Sequence, residues 1–390
     1  MERSSQVTTQ KAEKAEFIPL SIPHMTGDEA EEVAKCFETN WVSSAGPQID
    51  AFASEFSNYL GVEHAVPLVS GTAALHLALL VTGVKPGDSV MVSTLTFIAA
   101  VNPIAYCGAK PIFVDSERQT FNMDPDKAVA KIEELAAKGQ LPKAIIIVHL
   151  YGHCAKVAPI IEACRRHEIA VIEDATESLG TRDQGRMTGI SGDVGCYSFN
   201  GNKLITTGGG GMLTTRHSGL AEKAVYYSTQ AKDDPKNYDH HEIGFNYRLT
   251  NIQAAMGLAQ LRHIEEFVDR KRTIAERYAE ALKDLPGLTT NPELDGCRNC
   301  FWLYCVLVEE TDFGMSSREL IKSLNSARID ARPFWKPIHT MPMYQGCDAT
   351  DLSNSLWLWE RGLNLPSSVG LTKSQQDRVI QGIRNAAGPN

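Results

Sequence analysis

From about Val62 onward the chain alternates short β-rich runs with stretches of helical character, and this rhythm narrows the folds open to it. Strands are expected at Ala65–Val69, Ser89–Val92, Pro111–Val114, Ala144–Val148 and Ala170–Glu173. Helices are expected from Thr72, near Phe97–Tyr106, from Asp124 and over Ala155–Arg166. A succession of βα units implies a mostly parallel sheet covered by helices on both faces. Such sheets take their ligands beyond the carboxyl ends of the strands. After Thr250 the pattern turns helical for some thirty residues, with Ile252, Ala255, Met256, Ala259 and Ile264 near helical spacing, until Pro286-Gly287 stops it. The rest reads as a strand at Leu303–Val308, a helix at Ser317–Ser326, a Pro-rich stretch from Arg332 to Pro342 and a closing helix over Thr372–Ile383. The expected architecture is α/β, with a large domain over residues 17–265 and a smaller C-terminal α/β domain over 266–390. The N-terminal segment 17–45 is expected to pack with the smaller domain. Residues 1–16 are polar without an apolar core, which predicts a disordered tail rather than a signal peptide or anchor.

Charge and cysteine usage exclude several classes. The net charge is −9 and no long basic block occurs, a poor match to a phosphodiester backbone, so nucleic acid is not an expected partner. The longest apolar runs, such as Ala144–Val148, fall far short of the roughly 20 residues a membrane helix needs. No membrane partner is expected. Nine scattered cysteines, an odd number set mostly among apolar neighbours, read as reduced thiols of a cytoplasmic protein. Cys297-Arg-Asn-Cys300 has metal-like spacing, yet no second pair or nearby histidine completes four ligands, so no metal is expected.

Three βα connections carry unusual residues. Ser70-Gly71-Thr72-Ala73 joins an apolar strand to a helix, where backbone N–H groups can face an anion; a plain turn with a threonine N-cap is the alternative. The Ala170–Glu173 strand delivers Asp174, and then Glu177, at its carboxyl end. A carboxylate placed there suits a metal ligand, a base, a partner for a protonated ring nitrogen, or simply a helix N-cap. After a strand at Cys196–Phe199 comes Lys203, beside Leu204 and Ile205 and ahead of four glycines, Gly208 to Gly211. An amine in such surroundings is partly desolvated, which lowers its pKa and makes it a nucleophile toward carbonyls; non-covalent pairing with a phosphate or carboxylate is the other option. The glycine run has neither the Gly-Lys-Ser/Thr of a nucleotide loop nor the position of a dinucleotide fingerprint. An anion cradle, an aspartate at a strand end and a lysine 29 residues later match what pyridoxal 5′-phosphate demands: donors for phosphate, an anion for the pyridinium nitrogen, and an amine for the aldehyde. Phe97 could stack on the ring or belong to the core.

Four segments carry a resemblance: Gly71-Thr-Ala-Ala-Leu-His-Leu-Ala78, Glu173-Asp-Ala-Thr-Glu-Ser-Leu-Gly180, Ser198-Phe-Asn-Gly-Asn-Lys203 and Gly244-Phe-Asn-Tyr-Arg-Leu-Thr-Asn251. In this order, from about Ile18 to Ile383, the chain resembles the DegT-type sugar-nucleotide aminotransferases of pyridoxal-phosphate fold type I. The resemblance implies that Lys203 is the residue joined to the cofactor, Asp174 the partner of the ring nitrogen and Glu177 a neighbour of the ring hydroxyl. It places Thr72, Ala73 and Ser198 at the phosphate and makes Phe97 the stacking ring. Asn246 would reach the phosphate of a neighbouring subunit, implying a homodimer with shared active sites. Arg248 and His339 are candidate substrate contacts, with structural roles as the alternative for each.

Relatives with histidine in place of the lysine are dehydratases, so Lys203 implies an aminotransferase. Gly209 stands where many relatives have glutamate. Together with Thr229-Gln-Ala-Lys-Asp-Asp-Pro235 and Arg332-Pro-Phe-Trp-Lys-Pro-Ile-His339, this resembles the branch of the bacillosamine and legionaminic acid pathways. The expected reaction moves the amino group of L-glutamate to C4 of a nucleotide-linked 4-keto-6-deoxy-N-acetylhexosamine, with a perosamine-type GDP-sugar as the alternative acceptor. A non-catalytic cofactor-binding regulator and a lyase acting on amino acids are the other classes such a chain admits.

Overall fold

The computed structural model describes residues 16–234, 236–290 and 293–387. The expected tail lies outside them except for Glu16. Strands β1 (His64–Leu68), β2 (Ser89–Ser93), β3 (Lys110–Val114), β4 (Ala144–Val148) and β5 (Ala170–Asp174) come first, then a short hairpin of β6 (Arg182–Asp183) and β7 (Arg186–Met187). After β8 (Val194–Ser198) and β9 (Gly211–Thr215), five of the earlier strands and these two form one seven-stranded sheet in the order β1-β9-β8-β5-β4-β2-β3. The pairs from β8 through β3 are parallel, as the βα alternation implied. Strand β9 departs from that pattern, running antiparallel to both β1 and β8. Its first residue, Gly211, therefore pairs with the last residues of its neighbours, Leu68 and Ser198.

Side chains alternate across this sheet with period two. Ile145 and Ile147 of β4 join Met91, Ile112 and Val171 on one face, beneath the helices Pro125–Ala137 and Val157–Arg166. Ile146 and Val148 join Val90, Val92 and Ile172 on the other, against the Gly71–Val81 helix. That helix is apolar nearly all round, from Ala73 to Val81, because it is buried on nearly every side. Each expected strand of the large sheet appears within two residues of its expected bounds.

Later strands β10 (Leu288–Thr290), β11 (Cys297–Arg298), β12 (Tyr304–Val308), β13 (Arg332–Pro333) and β14 (Gly362–Leu365) serve two sheets. Four of them form an antiparallel sheet, β10-β12-β14-β13, with its own core of Tyr304, Val306, Leu320, Leu363 and Ile383. Strand β11 instead joins the β6–β7 hairpin.

The thirty helical residues after Thr250 are two helices, Asn251–Arg262 and Ile264–Leu282, because His263 adopts ψ near 5° and closes one while opening the other. The first is buried almost all round, so the apolar stripe drawn from its sequence is not what orients it. The second crosses the expected boundary between residues 265 and 266. Its Ile264, Phe267 and Val268 enter the large core, and its Ile274, Ala275, Tyr278 and Leu282 enter the small one. Only the beginning of the N-terminal segment reaches the small sheet's side: Ile18 bridges Ile329, and Leu20 N–H donates to Asp330. Further along, the helices Asp28–Glu38 and Pro47–Leu60 lie against Asn251–Arg262, because their buried Cys36, Phe52 and Phe56 match its apolar surface. No helix among the described residues is long and apolar enough to cross a membrane.

Candidate active site

The carboxyl ends of β1, β2, β5 and β8 and the start of β9 meet around a cavity of about 240 Å³. It is lined by Ser70, Gly71 and Thr72 from the β1 end, Phe97 beyond β2, Thr176 and Glu177 beyond β5, and Ser198 and Lys203 beyond β8. Topology thus brings Ser70 and Lys203, 133 positions apart, to one cavity.

At the β1 end the helix begins at Gly71, with Ser70 as its N-cap; Ser70 Oγ accepts the Ala73 N–H at 3.1 Å. The threonine cap considered from sequence is therefore a serine cap, two residues earlier. The Ala73 N–H is committed to that cap and Ala73 does not line the cavity, whereas Gly71 and Thr72 present first-turn N–H groups, which a helix leaves without internal partners. Glycine is required at two places here. A Cβ on Gly71 would stand 2.9 Å from Ser198 Cβ, and one on Gly211 would stand 2.4 Å from the Ser70 carbonyl carbon. These two glycines let β1, β8 and β9 close on the helix terminus, making a cradle of the size and polarity a phosphate needs.

Asp174 ends β5, buried, its Oδ1 accepting the Thr176 N–H at 3.0 Å. Burial pushes its pKa above the ordinary carboxylate value, while Lys203 and His149 pull the other way. An anion in this position has electrostatic capacity to spare for a cationic ring nitrogen. Glu177 accepts the Tyr151 N–H at 2.8 Å, and burial raises its pKa to about 7 against the pull of Lys203. Lys203 sits in the turn after β8 with its Nζ 3.8 Å from the Trp302 ring centroid, and burial lowers its pKa despite Glu177 and Asp174. The cavity thus offers anion donors at one end, a buried carboxylate below and an amine beside it. This donor set fits a phosphorylated pyridine aldehyde: Gly71, Thr72 and Ser198 would take the phosphate and Lys203 the aldehyde from the cavity lining, while Asp174, buried behind the lining residue Thr176 and not itself in the lining, is the carboxylate for the ring nitrogen.

Phe97 is 48% exposed, facing the cavity, which removes the core alternative. Its ring lies 5.2 Å from Trp335. Trp335, packed beside Phe97, and Trp302 were not foreseen as site residues, yet both line the cavity. Trp302 is pinned from two sides: its indole N–H donates to the Asn202 carbonyl at 2.7 Å, and its own carbonyl accepts from buried Lys271 Nζ at 2.6 Å. Trp335 has its indole N–H buried without a hydrogen bond, near enough to Glu177 to favour that carboxylate's charged form. In sequence both sit beside a phenylalanine, as core aromatics do; the Pro-rich surroundings of Trp335 were the one available signal.

His339 does not line the cavity. Its Nδ1 meets Thr94 Oγ1 at 2.7 Å and its N–H donates to the same hydroxyl, so it fastens the Pro-rich stretch to the end of β2. This is the contact its structural reading called for. Arg248 bridges the backbone of Leu68, and its Nε is buried without a hydrogen bond. Asn246 is exposed, pairs with Thr229 by backbone, and stays outside this chain's own cavity.

The state of Glu177 leads to a measurable consequence. Its folded pKa, about 7, stands above the ordinary 4.5. Between those values the folded chain keeps a proton that the unfolded chain has lost, so stability falls as pH rises through that window and is level above it. In cofactor-free protein, Glu177→Gln is expected to add about 3 kcal/mol of stability above pH 7 and nothing near pH 4. Urea unfolding at several pH values checks this, and a difference that does not vary with pH would locate the proton elsewhere.

Residues 23–384 match the model of the DegT/DnrJ/EryC1/StrS aminotransferase family. The chain is 42% identical to EpsN of Bacillus subtilis (strain 168) over 370 residues, covering 93% of this chain and 94% of that one. It is also 42% identical to the GDP-perosamine synthase of Caulobacter vibrioides over 370 residues, covering 94% of this chain and 97% of that one. The fold superposes on the PLP-form of Spr1654 from Streptococcus pneumoniae with a TM-score of 0.87 at 26% identity, covering 95% and 99% of the two chains. A cradle, carboxylate and amine suited to pyridoxal phosphate, on a fold shared from end to end, establish that the chain belongs to the DegT/DnrJ/EryC1/StrS family of pyridoxal-phosphate-dependent sugar aminotransferases.

Proposed function

We propose that the chain moves the amino group of L-glutamate to C4 of a nucleotide-linked 4-keto-6-deoxyhexosamine, with Lys203 and Asp174 as its catalytic residues. The observation that carries this reading is Lys203 itself: a partly desolvated amine between Asp174, Glu177 and the Trp302 ring, at the mouth of an anion cradle. Bound pyridoxal phosphate supplies an electron sink that acidifies the donor's Cα–H and carries nitrogen from donor to acceptor. Lys203 Nζ, its pKa lowered by burial, takes the proton from Cα and returns one on the way to product. Asp174 holds the proton on the ring nitrogen, and Thr72 and Ser198 fix the phosphate. Phe97, Trp302 and Trp335 exclude water and give the sugar ring an apolar wall.

Incubation with L-glutamate and a panel of nucleotide-linked 4-keto-sugars, read by mass spectrometry, tests the assignment. Replacement of the ketone oxygen by an amine on a 4-keto-6-deoxy-N-acetylhexosamine is expected. Amination confined to a GDP-linked sugar without the acetamido group would select the perosamine-type reaction, which the 42% identity to GDP-perosamine synthase favours as a second reading. No amination of any sugar would overturn both.

The proposal includes a homodimer in which Asn246 serves the partner's cofactor phosphate. Asn246 is exposed on a segment whose Ile243 is 86% exposed, a placement suited to an isologous contact. Co-refolding a Lys203→Ala chain with an Asn246→Asp chain is then expected to recover up to about half of native activity in each heterodimer, since one site collects both lesions and the other neither. Heterodimers no more active than the two parents would assign Asn246 to its own subunit or to no role.

A further inference from the structure

The Cys297–Cys300 pair is divided by the fold. Cys300 turns inward, its Sγ 3.5 Å from the Glu177 carbonyl oxygen, and its N–H donates to Thr181 Oγ1. Cys297 lies in β11, paired antiparallel with β6 so that Cys297 stands opposite Asp183 and Arg298 opposite Arg182. Opposed residues share a face and neighbours alternate, so the thiol and the carboxylate are together on one side and both guanidinium groups on the other. The arginines are occupied there: Arg182 and Arg298 both pair with Glu265, at 3.3 and 3.0 Å. On the first side a third donor arrives from a different part of the chain. Cys154, just beyond the turn that follows β4, places its Sγ 3.2 Å from the Arg182 carbonyl oxygen. The Cys154 Sγ, a carboxylate oxygen of Asp183 and the Cys297 Sγ all lie within 4.8 Å of one another, with Cys297 Sγ 3.8 Å from Asp183 Oδ1.

Thiolate and carboxylate are both donors that zinc accepts, and bonds of about 2.3 Å to sulfur and 2.0 Å to oxygen put tetrahedral donors roughly 3.5–3.8 Å apart. The trio needs a contraction of about 1 Å at most to reach that spacing. Thiolate donors also select zinc-class ions over magnesium or calcium, which require oxygen cages. We propose that Cys154, Asp183 and Cys297 bind one thiophilic divalent cation of the zinc class, leaving its fourth position to water. The ion ties together the loop after β4, the β6–β7 hairpin and the strand that leads, five residues on, to Trp302. It is a structural staple beside the active site and takes no part in aminotransfer.

The test uses the complete chain with its cofactor, stripped by chelator and titrated with Cd²⁺, whose thiolate charge-transfer absorption lies in the ultraviolet. The expected result is a band saturating at one Cd²⁺ per chain, together with a rise in melting temperature on adding Zn²⁺. Cys154→Ser and Cys297→Ser are each expected to abolish the band, Asp183→Asn to weaken Cd²⁺ binding at least about tenfold, and Cys300→Ser to leave it unchanged. Since Asp183 is only partly buried, its variant keeps the test decisive if a cysteine variant fails to fold. The proposal is overturned by the absence of a saturable band, by a band that persists in either cysteine variant or disappears in Cys300→Ser, or by full affinity in Asp183→Asn. A Cys154–Cys297 disulfide in the purified chain, detected by peptide mass, would overturn it as well.

Discussion

Replacing Lys203 with alanine is expected to reduce aminotransfer by about 10⁴-fold or more while leaving the fold intact. Proton transfer by a positioned side chain alone is worth about 10²–10⁴-fold, and Lys203 also supplies the nucleophilic amine, so the two losses fall on one residue. The fold survives because the amine is a burden to it: burial lowers the Lys203 pKa, and Glu177, Asp174, Cys300 and an indole face offset only part of its desolvation. Melting temperature in the cofactor-free state is expected to hold or rise. Borohydride reduction of the parent protein is expected to fix the cofactor on the peptide containing Lys203. The competing candidate is Lys271, buried with its pKa lowered to about 7, but its Nζ is engaged by the Trp302 carbonyl and it does not line the cavity. Label recovered on Lys271, or on any lysine other than Lys203, would defeat the assignment.

Asp174→Asn is expected to retain the cofactor and lose about 10²–10³-fold in rate. The asparagine keeps the shape and can still accept the Thr176 N–H, so positioning is conserved and only the charge is removed. At an effective dielectric near 20, a unit charge about 4 Å from a ring cation is worth about 4 kcal/mol, and that stabilisation is used most fully when the ring draws electrons from the substrate. The cofactor's absorbance with glutamate, followed in a stopped-flow instrument, separates the two effects: binding near normal and the first half-reaction slow. A variant that turns over at the parent rate would put the ring's partner elsewhere.

What could be read from the linear chain follows the range of the forces involved. Strands such as β4, five apolar residues flanked by turns, declare themselves because burial on both faces demands an unbroken apolar run. Asp174 and Lys203 stood out because Asp174 closes one core strand and Lys203 follows five residues after another, at the end of the sheet where a parallel topology places its ligands. The antiparallel course of β9 was not legible, since Gly211–Thr215 is as fully buried as a strand of the parallel part and direction leaves no mark in composition. The tryptophans at 302 and 335 reach the cavity from the small sheet's side of the molecule, and nothing local to either distinguishes a wall of the site from core. His339 shows the limit from the other side: a histidine on a Pro-rich loop looks poised for substrate, while the structure gives its Nδ1 a structural contact with Thr94 that nothing local in the sequence signals. Cys297 and Cys300 looked like partners through their spacing, but a strand pairing that spacing cannot reveal gives Cys297 a different companion.

The helix Ile264–Leu282 threads both cores without interruption, anchored by Phe267 in one and Tyr278 in the other. Domains joined by a loop can swing about it, because a few backbone torsions absorb the rotation; a continuous helix stores the same rotation as elastic bending, spread over its whole length. A movement of the small sheet's side relative to the large one would therefore take the form of side chains sliding along a stiff shaft, with small displacements at the cavity rim. Its amides from Phe267 to Tyr278 should exchange with solvent deuterium at one slow rate in the free and the substrate-bound protein alike, and any protection gained on binding should appear in the segments flanking the cavity instead.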